Sequence, residues 1–122
     1  MLCDAVCRLQ EVTDLPLQID TSDPVAMEAA LRRYNGKAMI NSVSGKEESM
    51  QAVFPLARKY GGVVVALTLD ENGIPTNALN ITKTVQIIKD GKGKINPCQF
   101  KFVQIRKKHL FVVTDETKFR KI

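Results

Sequence analysis

The sequence predicts an α/β fold: a parallel sheet of three βα units with a C-terminal antiparallel β extension. Three observations predict it. Two short apolar runs, Leu17 to Ile19 and Ala38 to Ile40, each end in a polar residue, Asp20 and Asn41, 21 positions apart. That spacing suits one β-α-β unit, and a right-handed crossover lays its strands parallel with both polar residues at the carboxyl end. A third run, Val63 to Leu69, is bounded by glycines and an acidic turn, as suits a parallel strand buried on both faces. Further on, Phe100 and Phe102 alternate with Lys101 and Val103, and Arg106 to His109 separates this run from Leu110 to Thr114, the pattern of an antiparallel hairpin.

Each element follows from local chemistry. Leu2, Val6 and Leu9, with Ala5 alongside, read as a helix closed by Thr13-Asp14; such a helix packs on a preceding strand, so the chain reads as beginning inside its parent fold. Pro16 opens the first strand, where no ladder donor is needed. Asp23-Pro24 supplies an N-cap and a proline at the first helical position, so a helix starts at Val25. Met27, Ala30, Leu31 and Tyr34 share one face, and Asn35-Gly36 ends the helix. After the second strand, Ser44-Gly45-Lys46-Glu47 fails the phosphate-loop pattern and reads as a βα loop, with Glu47 and Glu48 in the first helical turn, where the dipole favours them. Met50, Val53, Phe54, Ala57 and Tyr60 form the next apolar face; Pro55 is expected to kink this helix near Gln51, and Gly61-Gly62 stops it. Asp70 follows the third strand, either as a further ligand contact or as the first residue of a D-E-N-G turn. Ala78 to Lys89 admits a helix, while Val85 to Ile88 admits a strand. Asp90 to Gly93 is a turn either way, and Glu116 to Ile122 frays or forms one helical turn.

Composition divides the chain near Pro75. Up to that residue, 7 lysines and arginines stand against 10 acids, a net of −3; from Thr76 onward, 11 stand against 3, a net of +8. Eight alanines precede the boundary and one, Ala78, follows it. Residues 76–122 therefore read as a basic, β-rich extension of separate origin, chimeric with 1–75 but packed on it in a single folded unit. Cys3, Cys7 and Cys98 are an odd number without a secretory pattern, so reduced thiols are expected; their spacing, with the lone His109, is not that of a zinc site, and no metal is assigned. With neither a long apolar run nor a basic and apolar leader, a cytoplasmic protein without membrane contact is expected.

The pieces D-L-P-L-Q-I-D, the D-P helix start, A-M-I-N-S, F-P-L-A and L-T-L-D-E-N-G-I-P, at these spacings, resemble the pterin-binding barrel of methyltetrahydrofolate:corrinoid methyltransferases, including that domain of cobalamin-dependent methionine synthase. The resemblance runs from about Leu2 to Pro75, and residues 76–122 do not share it. It implies a partial TIM-barrel-like sheet, since 122 residues are too few for a complete barrel of about 250. It also implies the chemistry: methyl passes from N5 of methyltetrahydrofolate to the cobalt of a corrinoid carried on a partner protein or domain. By residue match, Asp20 is similar to the aspartate that binds the pterin ring and Asn41 to the asparagine that contacts the ring near N5. Asp70 is a third substrate-binding candidate. A carboxylate accepts two hydrogen bonds from the ring's amino and N3-H edge, and an amide both donates and accepts. The family's later isoleucine-aspartate-proline strand has no counterpart, and Asp115, at the end of Phe111 to Thr114, is a weak substitute.

The expected function is thus a truncated or chimeric pterin-binding segment, catalytically incomplete alone, with no intrinsically bound cofactor and methyltetrahydrofolate as ligand. Two other readings stand beside it. One is a non-enzymatic scaffold that forms a homodimer through open sheet edges. The other, ranked last, is nucleic-acid binding by the basic tail, with Lys101, Arg106, Lys107, Lys108 and His109 near Phe100, Phe102 and Phe111.

Overall fold

A computed structural model describes residues 1–74, 79, 80, 83, 84, 86–88, 100–106 and 109–114, with the backbone alone described in the last two stretches. Helix α1 (Leu2–Val12) leads into strand β1 (Gln18–Asp20), helix α2 (Pro24–Arg33), strand β2 (Met39–Ser44), helix α3 (Glu47–Tyr60) and strand β3 (Val63–Leu67). Strands β4 (Phe100–Arg106) and β5 (His109–Thr114) follow. The sheet order is β1-β2-β3-β5-β4, with β1, β2 and β3 parallel and β5 antiparallel to both β3 and β4. The predicted fold class holds: three parallel strands in βα units, with an antiparallel hairpin added beside β3. Between β3 and β4, residues 79, 80, 83, 84 and 86–88 are helical, which selects the helix over the strand there. The expected turn at Asp90 to Gly93, together with Cys98, Lys107, Lys108, Asp115 and residues 116–122, lies outside the described residues.

Local chemistry sets the boundaries. Asp23 Oδ1 accepts the Val25 N–H at 2.9 Å with Pro24 at the first helical position, so α2 starts one residue before Val25. It stops when Tyr34 turns extended, and Gly36 then takes a positive φ of 123° that a side chain would oppose. Gly61 ends α3 in the left-handed region, at φ 67°. Pro55 lies within α3 on its exposed side, as does Gln51, so the carbonyl that proline leaves without a partner is on the solvent side. Strand β3 is two residues shorter than the apolar run suggested. The Leu69 N–H closes back on the Leu67 carbonyl at 2.8 Å, and the Leu69 carbonyl accepts from Gly45 N at 2.7 Å, so the chain turns before the run is spent.

The core lies between sheet and helices. Ile19, Ile40, Val43, Val64 and Ala66 from the strands bury against Met27, Ala30 and Leu31 of α2 and Met50, Val53, Phe54 and Ala57 of α3. At about 25 cal/mol per Å² of apolar surface removed from water, this cluster is the main source of stability. Val63 and Val65 belong to the opposite strand face and are buried as well, which accounts for the unbroken apolar run. Helix α1 docks on α2 through Leu2 and Val6, while Leu9, from the same predicted stripe, stays 46% exposed. Gln10 secures this docking: its amide donates to the Arg33 carbonyl at 3.1 Å and its carbonyl accepts from Asn35 N at 2.7 Å, so α1 supplies partners to the C-terminus of α2. A further tie joins α2 to α3, where Glu28 Oε1 accepts from Lys59 Nζ at 2.7 Å, Tyr60 Oη at 3.0 Å and Arg32 at 3.3 Å.

Candidate functional site

Strand periodicity places the site. Ile19 and Ile40 face the helices, so the next residues, Asp20 and Asn41, belong to the opposite face. They are register partners on neighbouring parallel strands, and Val65 of β3 completes the row. Asn41 Nδ2 donates to Asp20 Oδ2 at 3.0 Å, with Asp20 exposed and Asn41 part-exposed. Among the described residues this is the one side-chain hydrogen bond Asp20 makes, so its second oxygen stays open to a donor. Strand β2 runs past Asn41 to Ser44, beyond the run that ends at Ile40, and its register shifts between Asn41 and Val43; the Asn41–Ser42 peptide bond is cis.

A cavity of about 400 Å³ opens at these strand ends. Asp20 at the end of β1 and Thr21 after it, Asn41, Ser42 and Ser44 in β2, and Leu67 of β3 form one side. Pro24 and Met27 of α2, and Glu48, Ser49, Ala52 and Val53 of α3, form the other, with Lys46 at the start of α3. The lining sets hydroxyls, an amide and charged groups among apolar side chains such as Met27, Val53 and Leu67, and the carboxyl ends of parallel strands are the usual site of small-molecule binding in α/β folds.

Asp70 does not line this cavity. Its Oδ1 accepts the Asn72 N–H at 2.8 Å, its Oδ2 accepts the Thr84 hydroxyl at 2.9 Å, and its backbone bridges to Gly73. The Asn72 bond first, then that from Thr84, holds its carboxyl below the ordinary carboxylate range. The structure therefore joins Asp20 to Asn41 and places Asp70 in the turn, outside the lining of this cavity. Sequence reasoning missed the hydroxyls of Thr21, Ser42 and Ser49, and it read Ser44 and Lys46 only as parts of a βα loop, whereas all five line the cavity. A signal for Thr21 existed in the D-T-S-D-P run after the first apolar stretch, and for the others in the N-S-V-S-G-K-E-E-S run after the second, both dense in short polar side chains where a strand passes into a helix. Among the described residues no group of three or more His, Cys, Asp or Glu side chains is placed to hold a metal, and no helix is long and apolar enough to cross a membrane.

Consecutive parallel βα units with an acid, an amide and a cavity at their carboxyl ends define a barrel-type ligand-binding segment. The chain belongs to the pterin binding enzyme family, whose model matches residues 1–94 and so reaches past Pro75 into the basic part. Among curated relatives it is 33% identical over 85 residues, 66% of this chain, to the methionine synthase of Mycobacterium leprae. It is 34% identical over 71 residues, 54% of this chain, to the methionine synthase of Mycobacterium tuberculosis. The aligned stretches span 7% and 6% of the length of those relatives.

Proposed function

We propose that this chain is the pterin-holding part of a methyltetrahydrofolate:corrinoid methyltransferase and that its 122 residues are catalytically incomplete by themselves. The observation that carries this reading is the pairing of Asp20 with Asn41 across adjacent parallel strands, at the mouth of a cavity in a pterin binding enzyme segment. Asp20 accepts hydrogen bonds from the amino and N3-H edge of the pterin through its open oxygen. Asn41 donates to Asp20 and presents its amide oxygen toward N5, where an amide serves both the protonated and unprotonated ring as methyl leaves. The corrinoid that takes the methyl group resides on a partner protein or domain, in a cytoplasmic setting. Residues 1–75 form the barrel segment and 76–122 a basic extension packed on it as a single unit; the β3–β5 pairing supports the packing, while the family match carries the relationship on to residue 94. Asp70 acts in folding the turn rather than in contact with the ring.

The test is a titration of the chain with 5-methyltetrahydrofolate, followed by NMR shifts at Asp20 and Asn41, and a parallel incubation with reduced cobalamin. Binding in the millimolar range or tighter, shifts at those two residues and no methylcobalamin formation fit the reading. Saturable binding that leaves both residues unmoved contradicts it.

A second reading rests on the edges. Strands β1 and β4 each end the described sheet order, so each has an outer side that a second copy of the chain is suited to pair with, as a homodimeric scaffold. Sedimentation at increasing concentration tests this, and a constant monomer mass removes it.

A further inference from the structure

Resting on the pterin reading, the geometry points to Lys46 as a specificity-determining residue that recognises the anionic glutamate tail of a folate. Lys46 lines the same cavity as Asp20 and Asn41 and is the one cation among the described residues that do. Its side chain is exposed and makes no ion pair with the described residues.

Its position also runs against local preference. Lys46 is the N-cap of α3 and makes no capping bond with its side chain. That position favours Ser, Thr, Asp or Asn, and a cation there faces the positive end of the helix dipole. Part of the lost capping comes from elsewhere, since Glu71 Oε1 accepts the Glu47 N–H at 3.2 Å. A residue that opposes the local rule while its neighbours compensate is expected where ligand chemistry has set the choice.

The root of the side chain is held while its tip is free. Gly45 has no room for a Cβ, which would lie 2.9 Å from Thr84 Cγ2 and 3.1 Å from the Leu69 carbonyl oxygen. The Lys46 carbonyl accepts from Met50 N at 3.0 Å, and its N–H donates to Ser44 Oγ at 3.4 Å. A four-carbon stem on a fixed root sweeps an ammonium over part of the cavity rim and meets a carboxylate as a point charge. Asp20 and Glu48 also line the cavity and repel an anion, and Lys46 offsets one of these two carboxylates. The cavity thus presents hydrogen-bond acceptors for a ring edge at the strand ends and a cation at the helix start. A folate, with a donor edge on its pterin and carboxylates on its tail, matches both.

Three probes decide it by NMR titration of the full chain: tetrahydrobiopterin, which has no glutamate, 5-methyltetrahydrofolate, and its triglutamate. Lys46→Ala is expected to weaken the two tailed ligands about two- to fivefold, the range of a single exposed charge contact, and the triglutamate more than the monoglutamate. It leaves tetrahydrobiopterin unchanged. Lys46→Arg restores the tailed ligands, and Lys46→Glu weakens them further. Equal affinity of wild type and Lys46→Ala for the tailed ligands, or an equal loss for all three probes, overturns the role of Lys46 and leaves the ring reading in place. A wild-type chain that binds none of the three overturns both.

Discussion

Thr84 Oγ1 lies 2.9 Å from Asp70 Oδ2 and 3.0 Å from the Asn80 carbonyl and shares its one proton between these acceptors, joining the helical residues beyond Pro75 to the turn that follows β3. Thr84 is fully buried, and its methyl lies where any side chain on Gly45 would go. The turn, the βα loop and the later helical residues thus form one packed junction.

Thr84→Val keeps the shape of the side chain and removes its hydroxyl. We expect a loss of about 1 kcal/mol in unfolding free energy, the net worth of a hydrogen bond, measured by urea denaturation. Asp70→Asn is expected to lower the urea midpoint without changing affinity for 5-methyltetrahydrofolate. An affinity loss in a variant that keeps its stability would return Asp70 to the binding site.

Gly45→Ala is expected to destabilise by about 1–3 kcal/mol, the cost of overpacking a filled site. The added Cβ meets the Leu69 carbonyl at 3.1 Å, and backbone cannot rotate away as a side chain can. Gly62→Ala should cost less, because its nearest contact, at 2.8 Å, is the Cδ1 end of Ile40. Melting temperatures of the two variants give the comparison.

Hydrogen bonds from Lys59 first and then Tyr60 hold the Glu28 carboxyl at about 2, from an ordinary value of 4.5. A depressed carboxylate stabilises the folded chain fully above its unfolded value, and that contribution fades as pH falls from about 4.5 through about 2. Glu28→Gln should therefore lower stability at neutral pH, with the gap from wild type closing toward pH 2. The effect is modest, since both partners are partly exposed, and it shrinks in salt. Denaturation curves at several pH values, with and without added salt, check the sign.

Asp20→Asn and Asn41→Ala are each expected to weaken 5-methyltetrahydrofolate binding about tenfold or more, as loss of a hydrogen bond to a charged or ring group does. Stability should stay near wild type, because Asp20 is exposed and their mutual bond lies at the sheet end. Isothermal titration with matched melting curves separates the two effects.

The order of helices and strands was legible in the chain itself, because periodicity and capping are properties of neighbours. Asp23-Pro24, Gly61 and the 3.6-residue spacing of Met27, Ala30 and Leu31 each act within a few residues. The partnership of Asp20 and Asn41 was half legible: strand polarity fixes which end they occupy, while register decides that they meet. What the folded structure alone decided depends on residues distant in sequence. The fate of Asp70 hung on Thr84, 14 positions away; the early end of β3 hung on Gly45; and the cavity lining of Lys46 and the serines arose where two βα loops converge. Hydrogen bonds and cavities of this kind form between segments that a linear pattern never places side by side.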